Sequence, residues 1–381
     1  MSEAEKIQMV DLYGQYLGMR DEIDNAISNV IASSSFIRGD EVKRLEGELA
    51  DFIGVKHAVT CGTGTDALML SLMASGLERG DEVIMPAFTF AAVAEVVLLL
   101  GGVPVFADVD ESTFNIDPES VDRMVSARTK AIVPVHLFGQ PCDMVSLTDI
   151  AARNNLVLIE DNAQSFGAVC RMPSGHDVFA GAVGNIGCTS FFPSKVLGCF
   201  GDGGAVFTDD DKSAELIRAL ANHGQYKKYT HEYVGVNSRL DTLQAAVLRA
   251  KLPHVPLWIE SRRAAAKYYT ENLMDVPQIK LPAEMPESTH VYHQYTLRVS
   301  PESRDGLKDA LAAAGIPSMI YYPSALFEQP AYRDKCLRDP MADSCQILTR
   351  SVLSLPMHSE LTHEQQDRVI EAVKFYFSDK D

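Results

Sequence analysis

The chain has 381 residues, 46% of them hydrophobic and 23% charged, which is the balance of a globular protein that folds throughout. The formal net charge of −18 repels nucleic acids and acidic lipid surfaces, so we exclude both as partners. The seven cysteines are scattered without a C-x-x-C pair, which argues against a disulfide framework or a zinc site and favours a reducing cytoplasm.

No segment predicts a membrane anchor. The N-terminal stretch MSEAEKIQMVDLYGQY has no basic region followed by an apolar run, so we expect no signal peptide. The most apolar stretch, residues 91–100, contains Glu95 and is shorter than the ~20 residues that a membrane-spanning helix needs. Because one hydrophobic core rarely grows to this chain length, we expect a large domain and a smaller one, with a cleft between them.

The predicted elements alternate between helices and short apolar strands. Helical spacing appears first at Val42, Leu45, Leu49 and Phe52. Apolar strands are predicted at residues 58–61, 82–86, 103–109, 131–137 and 156–161. Helices are predicted from Thr65, up to Leu100, after the Asp117-Pro118 start, and over residues 144–153. This order predicts a mostly parallel sheet covered on both faces, with ligands at the carboxyl ends of its strands.

The pattern changes after Gly204. A strand is predicted at 205–210, and helices follow at 216–221 and 240–273, the second broken near Pro253 and Pro256. The remaining elements are a strand at 292–299 and helices at 305–314 and 363–377. We therefore predict a large domain of residues 1–255, which includes an N-terminal helical segment, and a smaller C-terminal α+β domain of residues 256–381.

A glycine-rich turn, CGTGTDAL at residues 61–68, joins a predicted strand to a predicted helix. Free N–H groups at a helix start, with glycines that allow close approach, suit a phosphate. Gly62, Gly64 and Ala67 also fit the dinucleotide pattern G-x-G-x-x-[GA], but that reading needs an acidic residue at the end of the second strand. The acidic residues here precede that strand, which disfavours a nicotinamide oxidoreductase.

Three further sites carry polar residues next to predicted strands or turns. Asp161 ends an apolar strand, with Gln164 three residues on, and its carboxylate could hold a metal, cap a helix or pair with a protonated ring nitrogen. Lys195 follows an aromatic strand and precedes a glycine-rich loop, where partial desolvation would lower its pKa and suit it to form a Schiff base. Asn237 and Arg239 occupy a turn before a helix, and turn chemistry with a surface ion pair would explain them equally well.

In order, these segments resemble the DegT/DnrJ/EryC1/StrS sugar aminotransferases, which share the aspartate aminotransferase fold type. The resemblance runs from VDLYGQY at residues 10–16 to the last helix, and its most specific segment is SFFPSKVLGCFGDGGAVFT at 190–208. It implies an α/β fold with a mostly parallel seven-stranded sheet and a smaller C-terminal α+β domain. It also implies a pyridoxal 5′-phosphate enzyme that passes through the pyridoxamine phosphate form.

The resemblance assigns a role to each matching residue. Lys195 corresponds to the catalytic lysine that binds the cofactor covalently, Asp161 to the partner of the pyridinium nitrogen, and Gln164 to the contact on the ring's hydroxyl side. The implied phosphate ligands are Thr65, Asp66 and Ser190, joined by Asn237 of the neighbouring subunit. Phe90 falls where the family stacks an aromatic ring on the cofactor, although Phe88 is close enough to compete.

The turn before the predicted helix at 240 resembles the C3-specific branch of the family. Arg239 then matches enzymes acting on UDP-2-acetamido-2-deoxy-3-oxo-glucuronate, where an arginine would pair with the sugar carboxylate. Tyr321 and Tyr322 fall in MIYYP, residues 319–323, where relatives often have His-Tyr-Pro. Tyr321 replaces that histidine, so its contact with the sugar or its diphosphate is open.

The implied reaction moves an amino group from L-glutamate to a nucleotide-linked keto sugar in a cytoplasmic homodimer with shared active sites, for O-antigen and lipopolysaccharide sugars. A dTDP-3-keto-6-deoxyhexose is the alternative acceptor. A related dehydratase is disfavoured, because such enzymes carry histidine in place of Lys195. An NAD-dependent oxidoreductase and a non-catalytic nucleotide-sugar sensor are the remaining alternatives.

Overall fold

The computed structural model describes residues 6–378 and builds the chain from helices packed around one large sheet. The helices are Leu12–Gly18 (α1), Arg20–Ser33 (α2), Asp40–Ile53 (α3), Gly64–Ala74 (α4), Ala92–Leu99 (α5), Pro118–Met124 (α6), Met144–Asn154 (α7), Asp211–Leu220 (α8), Thr242–Lys251 (α9), Val255–Leu273 (α10), Pro301–Ala313 (α11), Ser344–Ser351 (α12) and His363–Ser378 (α13). The strands are His57–Cys61 (β1), Glu82–Pro86 (β2), Val103–Ala107 (β3), Thr129–Ile132 (β4), Val157–Asp161 (β5), Val169–Arg171 (β6), Asp177–Phe179 (β7), Ile186–Ser190 (β8), Gly204–Thr208 (β9), Gln225–Lys227 (β10), Thr230–His231 (β11), Tyr295–Arg298 (β12), Leu337–Arg338 (β13) and Val352–Leu355 (β14).

The large sheet has the strand order β1-β9-β8-β5-β4-β2-β3-β13. The run from β8 through β5, β4, β2 and β3 to β13 is parallel, while β9 pairs antiparallel with both β1 and β8. The mostly parallel sheet is therefore confirmed. Its strands number eight rather than seven, because the two-residue strand β13 from the C-terminal part of the chain adds to the edge at β3.

The sheet has an apolar core on each face. Along β2, Val83 and Met85 pack in one cluster while Ile84 packs in the other. This alternation is what an apolar strand covered on both sides requires. On one side, α3 contributes Leu45 and Leu49, spaced four residues apart on a single helix face.

A third apolar cluster is formed by α10, α11, α13, β12 and β14, and it contains Tyr269 and Tyr295. The segment between α11 and β14 contacts the large sheet instead, since its residues Leu326 and Leu348 belong to the core on one face of that sheet. The division at residue 255 stays a proposal, and this packing ties the C-terminal part closely to the sheet.

Two predicted strands lose three or more of their predicted residues in the structure. The strand predicted at 131–137 ends at Ile132, and the Pro134 carbonyl beyond it accepts the Asp161 N–H at 2.9 Å outside any ladder. The strand predicted at 292–299 begins only at Tyr295, because Tyr292 has a φ of +48°, which is incompatible with an extended strand. Among residues 6–378, no helix combines the length and apolarity needed to cross a bilayer.

Candidate active site

A cavity of about 610 Å³ opens at the carboxyl ends of the parallel strands. It is lined by Thr63, Gly64, Thr65, Leu68, Thr89, Phe90, Ala92, Val135, Phe138, Asp161, Ala163, Gln164, Ser190, Phe192, Ser194, Lys195, Asp202, His293, Gln294, Tyr321 and Tyr322. The structure therefore brings together eight residues singled out in the sequence: Thr65, Phe90, Asp161, Gln164, Ser190, Lys195, Tyr321 and Tyr322.

The start of α4 forms one wall of this cavity. Thr63 caps the helix, its Oγ1 accepting the Asp66 N–H at 2.9 Å. The N–H groups of Gly64 and Thr65 lie in the first turn, where a helix offers no acceptor of its own. A Cβ on Gly64 would lie 2.6 Å from the Ser190 Cβ, so glycine allows the helix start and Ser190 to meet. The resulting cradle of N–H and hydroxyl groups suits an anion such as phosphate.

Asp161 ends β5 and presents its carboxylate to the cavity. Its Oδ1 accepts the Ala163 N–H at 3.0 Å. Burial raises the pKa of the Asp161 carboxyl above its ordinary value, and the Ala163 N–H, Lys195 and His136 only partly offset that effect. A cation held against this carboxylate would favour its ionised form, so the position suits a protonated ring nitrogen.

Lys195 follows β8 in a turn held by its own N–H, which donates to the Phe192 carbonyl at 2.9 Å. Burial lowers the pKa of the Lys195 amine to about 8, and the Asp161 carboxylate acts in the opposite direction. An amine with this pKa is neutral in a useful fraction of molecules near neutral pH. It can therefore attack a carbonyl carbon and exchange protons.

Gln164 is held in a fixed orientation at the cavity wall. Its Oε1 accepts the Phe138 N–H at 2.8 Å, and its Nε2 donates to the Tyr322 hydroxyl at 3.3 Å. Burial raises the pKa of the Tyr322 hydroxyl, so that group stays protonated. Gln164 thus offers an amide donor beside a phenol, which suits a ring hydroxyl or its oxyanion.

The two phenylalanines that compete for the stacking position lie in different environments. Phe90 lines the cavity and is 59% exposed, whereas Phe88 is fully buried with its ring centroid 6.0 Å from that of Tyr322. Of the two, Phe90 is the one that a ring bound in the cavity could contact.

Three residues from the sequence analysis do not line this cavity. Asp66 is absent from the lining, and its Oδ2 accepts the Ser238 hydroxyl at 2.7 Å. Asn237 is exposed and pairs through its backbone with Asn222. Arg239 lines a separate shallow pocket together with Arg38. The structure thus places the turn at 237–239 beside the helix cradle, outside the cavity of its own chain.

The cavity also contains polar residues that the sequence analysis missed, among them Thr89, His293 and Gln294. Thr89 Oγ1 and His293 Nδ1 are buried without a hydrogen-bond partner among the described residues. No local pattern marks them, since Thr89 lies between two phenylalanines and His293 lies in what the sequence predicted as a strand. The one indication of a functional role was the polar pair His293-Gln294, which lies within the predicted strand at 292–299.

The cavity residues fit a cofactor with a phosphate, an aldehyde and a protonated ring nitrogen. The α4 start and Ser190 would hold the phosphate, Asp161 the ring nitrogen, and Lys195 the aldehyde carbon. The donor types match the three ends of such a molecule. Thr89 and His293 also line the cavity and have no role in this assignment.

Comparison with known proteins identifies the sequence family. The model of the DegT/DnrJ/EryC1/StrS aminotransferase family matches residues 18–374. The chain is 42% identical over 373 residues to a pleiotropic regulatory protein of Geobacillus stearothermophilus, covering 97% of this chain and 98% of the relative. It is 44% identical over 355 residues to the UDP-2-acetamido-2-deoxy-3-oxo-D-glucuronate aminotransferase of Pseudomonas aeruginosa, covering 93% and 96%.

Other relatives use a different nucleotide sugar or have solved structures. The dTDP-3-amino-3,4,6-trideoxy-alpha-D-glucose transaminase of Streptomyces venezuelae is 40% identical, with 98% of this chain and 97% of the relative covered. The structure of S. venezuelae DesV with a ketimine intermediate matches with a TM-score of 0.93 at 39% identity, covering 98% and 99%. NtdA of Bacillus subtilis with bound cofactor PMP matches with a TM-score of 0.89 at 30% identity, covering 99% and 86%.

Proposed function

The chain belongs to the DegT/DnrJ/EryC1/StrS aminotransferase family, and we propose that it aminates C3 of a keto sugar nucleotide. Its cofactor is pyridoxal 5′-phosphate, which alternates with pyridoxamine phosphate. The proposed donor is L-glutamate and the proposed acceptor UDP-2-acetamido-2-deoxy-3-oxo-glucuronate. We place the reaction in the cytoplasm, in the synthesis of O-antigen and lipopolysaccharide sugars.

The observation that carries this proposal is the pairing of Lys195 and Asp161 in one cavity with the α4 cradle. When bound, the cofactor supplies an electron-withdrawing ring that makes the α-proton of the donor acidic. With a pKa of about 8, Lys195 Nζ can accept that proton and return it to a neighbouring carbon. Asp161 keeps the ring nitrogen protonated, and Gln164 orients the hydroxyl side of the ring.

The acceptor is proposed from Arg239 and from the relative that acts on the 3-oxo-glucuronate. Arg239 has no ion-pair partner among residues 6–378, so its guanidinium is available to a carboxylate. The 40% identical transaminase named for a dTDP sugar supports the alternative acceptor, a dTDP-3-keto-6-deoxyhexose, which has no carboxylate for Arg239.

We further propose a homodimer in which each cavity is completed by its neighbour. Asn237 and Arg239 lie outside the cavity of their own chain although the family assigns them to the cofactor phosphate and the sugar. Exposed apolar side chains such as Phe36, Ile37 and Val234 support a buried protein interface in this region. In a two-fold symmetric dimer, Asn237 and Arg239 would reach the cavity of the neighbouring subunit, where their proposed roles require them.

The direct test is turnover. Cofactor-loaded protein is mixed with L-glutamate and, in separate reactions, with 3-keto sugar nucleotides carrying UDP or dTDP and a carboxylate or a methyl group at C5. Amino products and 2-oxoglutarate are followed by mass. We expect the UDP-linked uronate to give the highest kcat/KM, and amination of the dTDP sugar alone would favour the alternative acceptor.

Arg239 distinguishes the two acceptors. Arg239→Ala should weaken the uronate by the ~1.5–3 kcal/mol of a charged hydrogen bond, roughly 10- to 150-fold in kcat/KM. The same change should leave the glutamate half-reaction near its original rate. Arg239→Lys is the matched control, because it keeps the positive charge but loses the bidentate geometry. Its kcat/KM for the uronate should lie between the values of the wild type and Arg239→Ala. Unchanged uronate turnover in Arg239→Ala would contradict the proposed acceptor but not the reaction class.

Two other function classes have discriminating results. A nicotinamide oxidoreductase would bind NAD(H) and remain colourless after incubation with pyridoxal phosphate. A nucleotide-sugar sensor would bind the sugar but show an absorbance spectrum unchanged by glutamate. The Geobacillus relative is named as a regulatory protein, which is why this class is tested. The cavity chemistry of Lys195 and Asp161 favours the enzyme over both.

A further inference from the structure

His293 is a buried residue in the lining of the active-site cavity. Its side chain is 5% exposed, and Nδ1 is buried without a hydrogen-bond partner among the described residues. The residue nonetheless lines the cavity. Because Nδ1 is inaccessible, the opposite edge of the ring, which carries Nε2, faces the cavity. Burial of an imidazole is costly unless its polar atoms find partners, and Nε2 is the nitrogen that a ligand in the cavity could reach.

The charge of Arg262 favours one of the two tautomers of this imidazole. Arg262 is buried in the protein outside the cavity lining, and its Nη1 donates to the carbonyls of Tyr292 and Met357 at 3.1 Å and 3.2 Å. A guanidinium has only donors, so its positive charge favours a lone pair on the imidazole nitrogen that faces the protein interior, which we take to be the buried Nδ1. The proton then lies on Nε2, which becomes a hydrogen-bond donor aimed into the cavity.

The imidazole is held in its neutral form. Burial lowers the pKa of His293 well below its ordinary value, and the positive charges of Lys195 and Arg262 lower it further. His293 therefore presents a neutral donor at every pH at which Lys195 can exchange protons.

Neutrality matters because the same cavity must receive two different substrates. Of the described residues that line it, Lys195 is the one lysine or arginine, and it is engaged in the chemistry. A donor without charge can bind a carboxylate in one half-reaction and a sugar hydroxyl in the next. A fixed arginine would favour the carboxylate strongly and penalise the uncharged group.

We propose that His293 is a substrate-binding residue whose Nε2–H donates to the α-carboxylate of the amino donor and then to a hydroxyl of the keto sugar. This inference rests on the proposed function. The role is one of substrate affinity and orientation, since Lys195 carries the proton transfers.

The test compares His293→Phe, which keeps a planar ring without nitrogens, with His293→Gln, which keeps an amide donor. Each holoenzyme is mixed with L-glutamate without the sugar, and absorbance gives an apparent dissociation constant and a limiting rate. We expect His293→Phe to weaken glutamate about tenfold or more with a smaller change in limiting rate, and His293→Gln to recover most of the affinity. A parallel titration with the keto sugar should show the same order.

His290→Phe is the matched control from the same segment. His290 is also buried, but its Nδ1 accepts the Tyr292 N–H at 3.0 Å, its ring stacks on that of Tyr292, and it does not line the cavity. Loss of this buried histidine should lower thermal stability without a selective change in glutamate affinity. Borohydride labelling of Lys195 in every variant reports whether the cofactor is still loaded.

Two results separate this inference from the proposed function. A labelled His293→Phe variant that binds glutamate and sugar as tightly as wild type overturns the role of His293 and leaves the aminotransferase intact. Wild-type protein that neither loads the cofactor nor reacts with glutamate overturns the function itself. If His293→Phe does not fold, a crystal structure of the wild-type holoenzyme with Cα-methylated glutamate decides. Nε2 should lie roughly 3 Å from a carboxylate oxygen, and a carboxylate held elsewhere contradicts the proposal.

Discussion

Lys195 shows how the fold changes the chemistry of a common side chain. Its backbone turn and the surrounding residues enclose the amine, and burial brings the pKa down from 10.5 to about 8 although Asp161 acts to raise it. Desolvation is thus the larger effect. The consequence is an amine that is nucleophilic near neutral pH.

This pKa predicts a pH dependence for covalent capture of the aldehyde by the apoprotein. Only the neutral amine attacks a carbonyl, so the rate should rise with pH through a midpoint of about 8 and level off above it. Stopped-flow absorbance with pyridoxal phosphate measures the rate at each pH. A midpoint near the ordinary 10.5 would show that Lys195 is not desolvated.

Lys251 provides the control for that experiment. Its pKa is also about 8, but its Nζ donates to the Gly198 carbonyl at 2.8 Å and is removed from the cavity. Lys251→Met should therefore keep the midpoint of capture, although it is expected to lower stability because Gly198 loses its donor.

At the level of single residues, the sequence predicted Lys195, Asp161 and Gln164 because each lies at or shortly after the end of a recognisable strand, within a motif that resembles the family. The assigned roles remain predictions, and the structure adds their common cavity. Thr89 and His293 were not predicted from the sequence, because what distinguishes them is a buried atom without a hydrogen-bond partner. Only the folded chain shows which polar atoms lack a partner.

At the level of elements, the helices and the main strands were largely predictable, since each is a continuous run with its own apolar period. The strand β14 and the helix α12 were not predicted, and β14 pairs with β12, more than fifty residues earlier in the chain. The hairpins β6–β7 and β10–β11 were missed because their strands have three residues or fewer. The local apolar periodicity of a sequence does not indicate how distant or very short segments pair.

The close approach of α4 to β8 predicts the effect of a single methyl group. Gly64→Ala places a Cβ 2.6 Å from the Ser190 Cβ, so the helix start must move away from the Ser190 hydroxyl. We expect weaker binding of pyridoxal phosphate to the apoprotein, by several-fold or more, measured by fluorescence or absorbance titration.

Gly47→Ala is the matched control for this change. Gly47 lies on the exposed side of α3, where an added Cβ meets nothing within 4 Å. Alanine should stabilise the helix there by ~0.5–1 kcal/mol and leave cofactor affinity unchanged. Equal cofactor affinity in Gly64→Ala and Gly47→Ala would show that the α4 start does not hold the phosphate.

At the level of the whole molecule, the proposed sharing of sites between subunits predicts complementation. A Lys195→Ala chain and an Asn237→Ala chain each form an inactive or weakened homodimer. In a mixed dimer, the cavity with intact Lys195 receives an intact Asn237 from the other chain. Re-equilibrated equal mixtures should recover about a quarter of wild-type activity, because half of the dimers carry one complete site of two.

The control mixture combines Lys195→Ala with Asp161→Asn. Both residues line the cavity of their own chain, so every site in the mixed dimer keeps one defect. No recovery is expected here. Recovery in both mixtures, or in neither, would contradict the assignment of Asn237 to the neighbouring site.

The proposed activity of the whole molecule depends on a covalent bond between Lys195 and pyridoxal phosphate in a cavity that reacts with an amino donor. The most direct measurement is borohydride reduction of the loaded protein, followed by peptide mass spectrometry, with and without prior incubation with L-glutamate. We predict the cofactor mass on the peptide containing Lys195, and its loss after glutamate. An unlabelled Lys195 peptide, or a label that glutamate does not remove, would contradict the central claim.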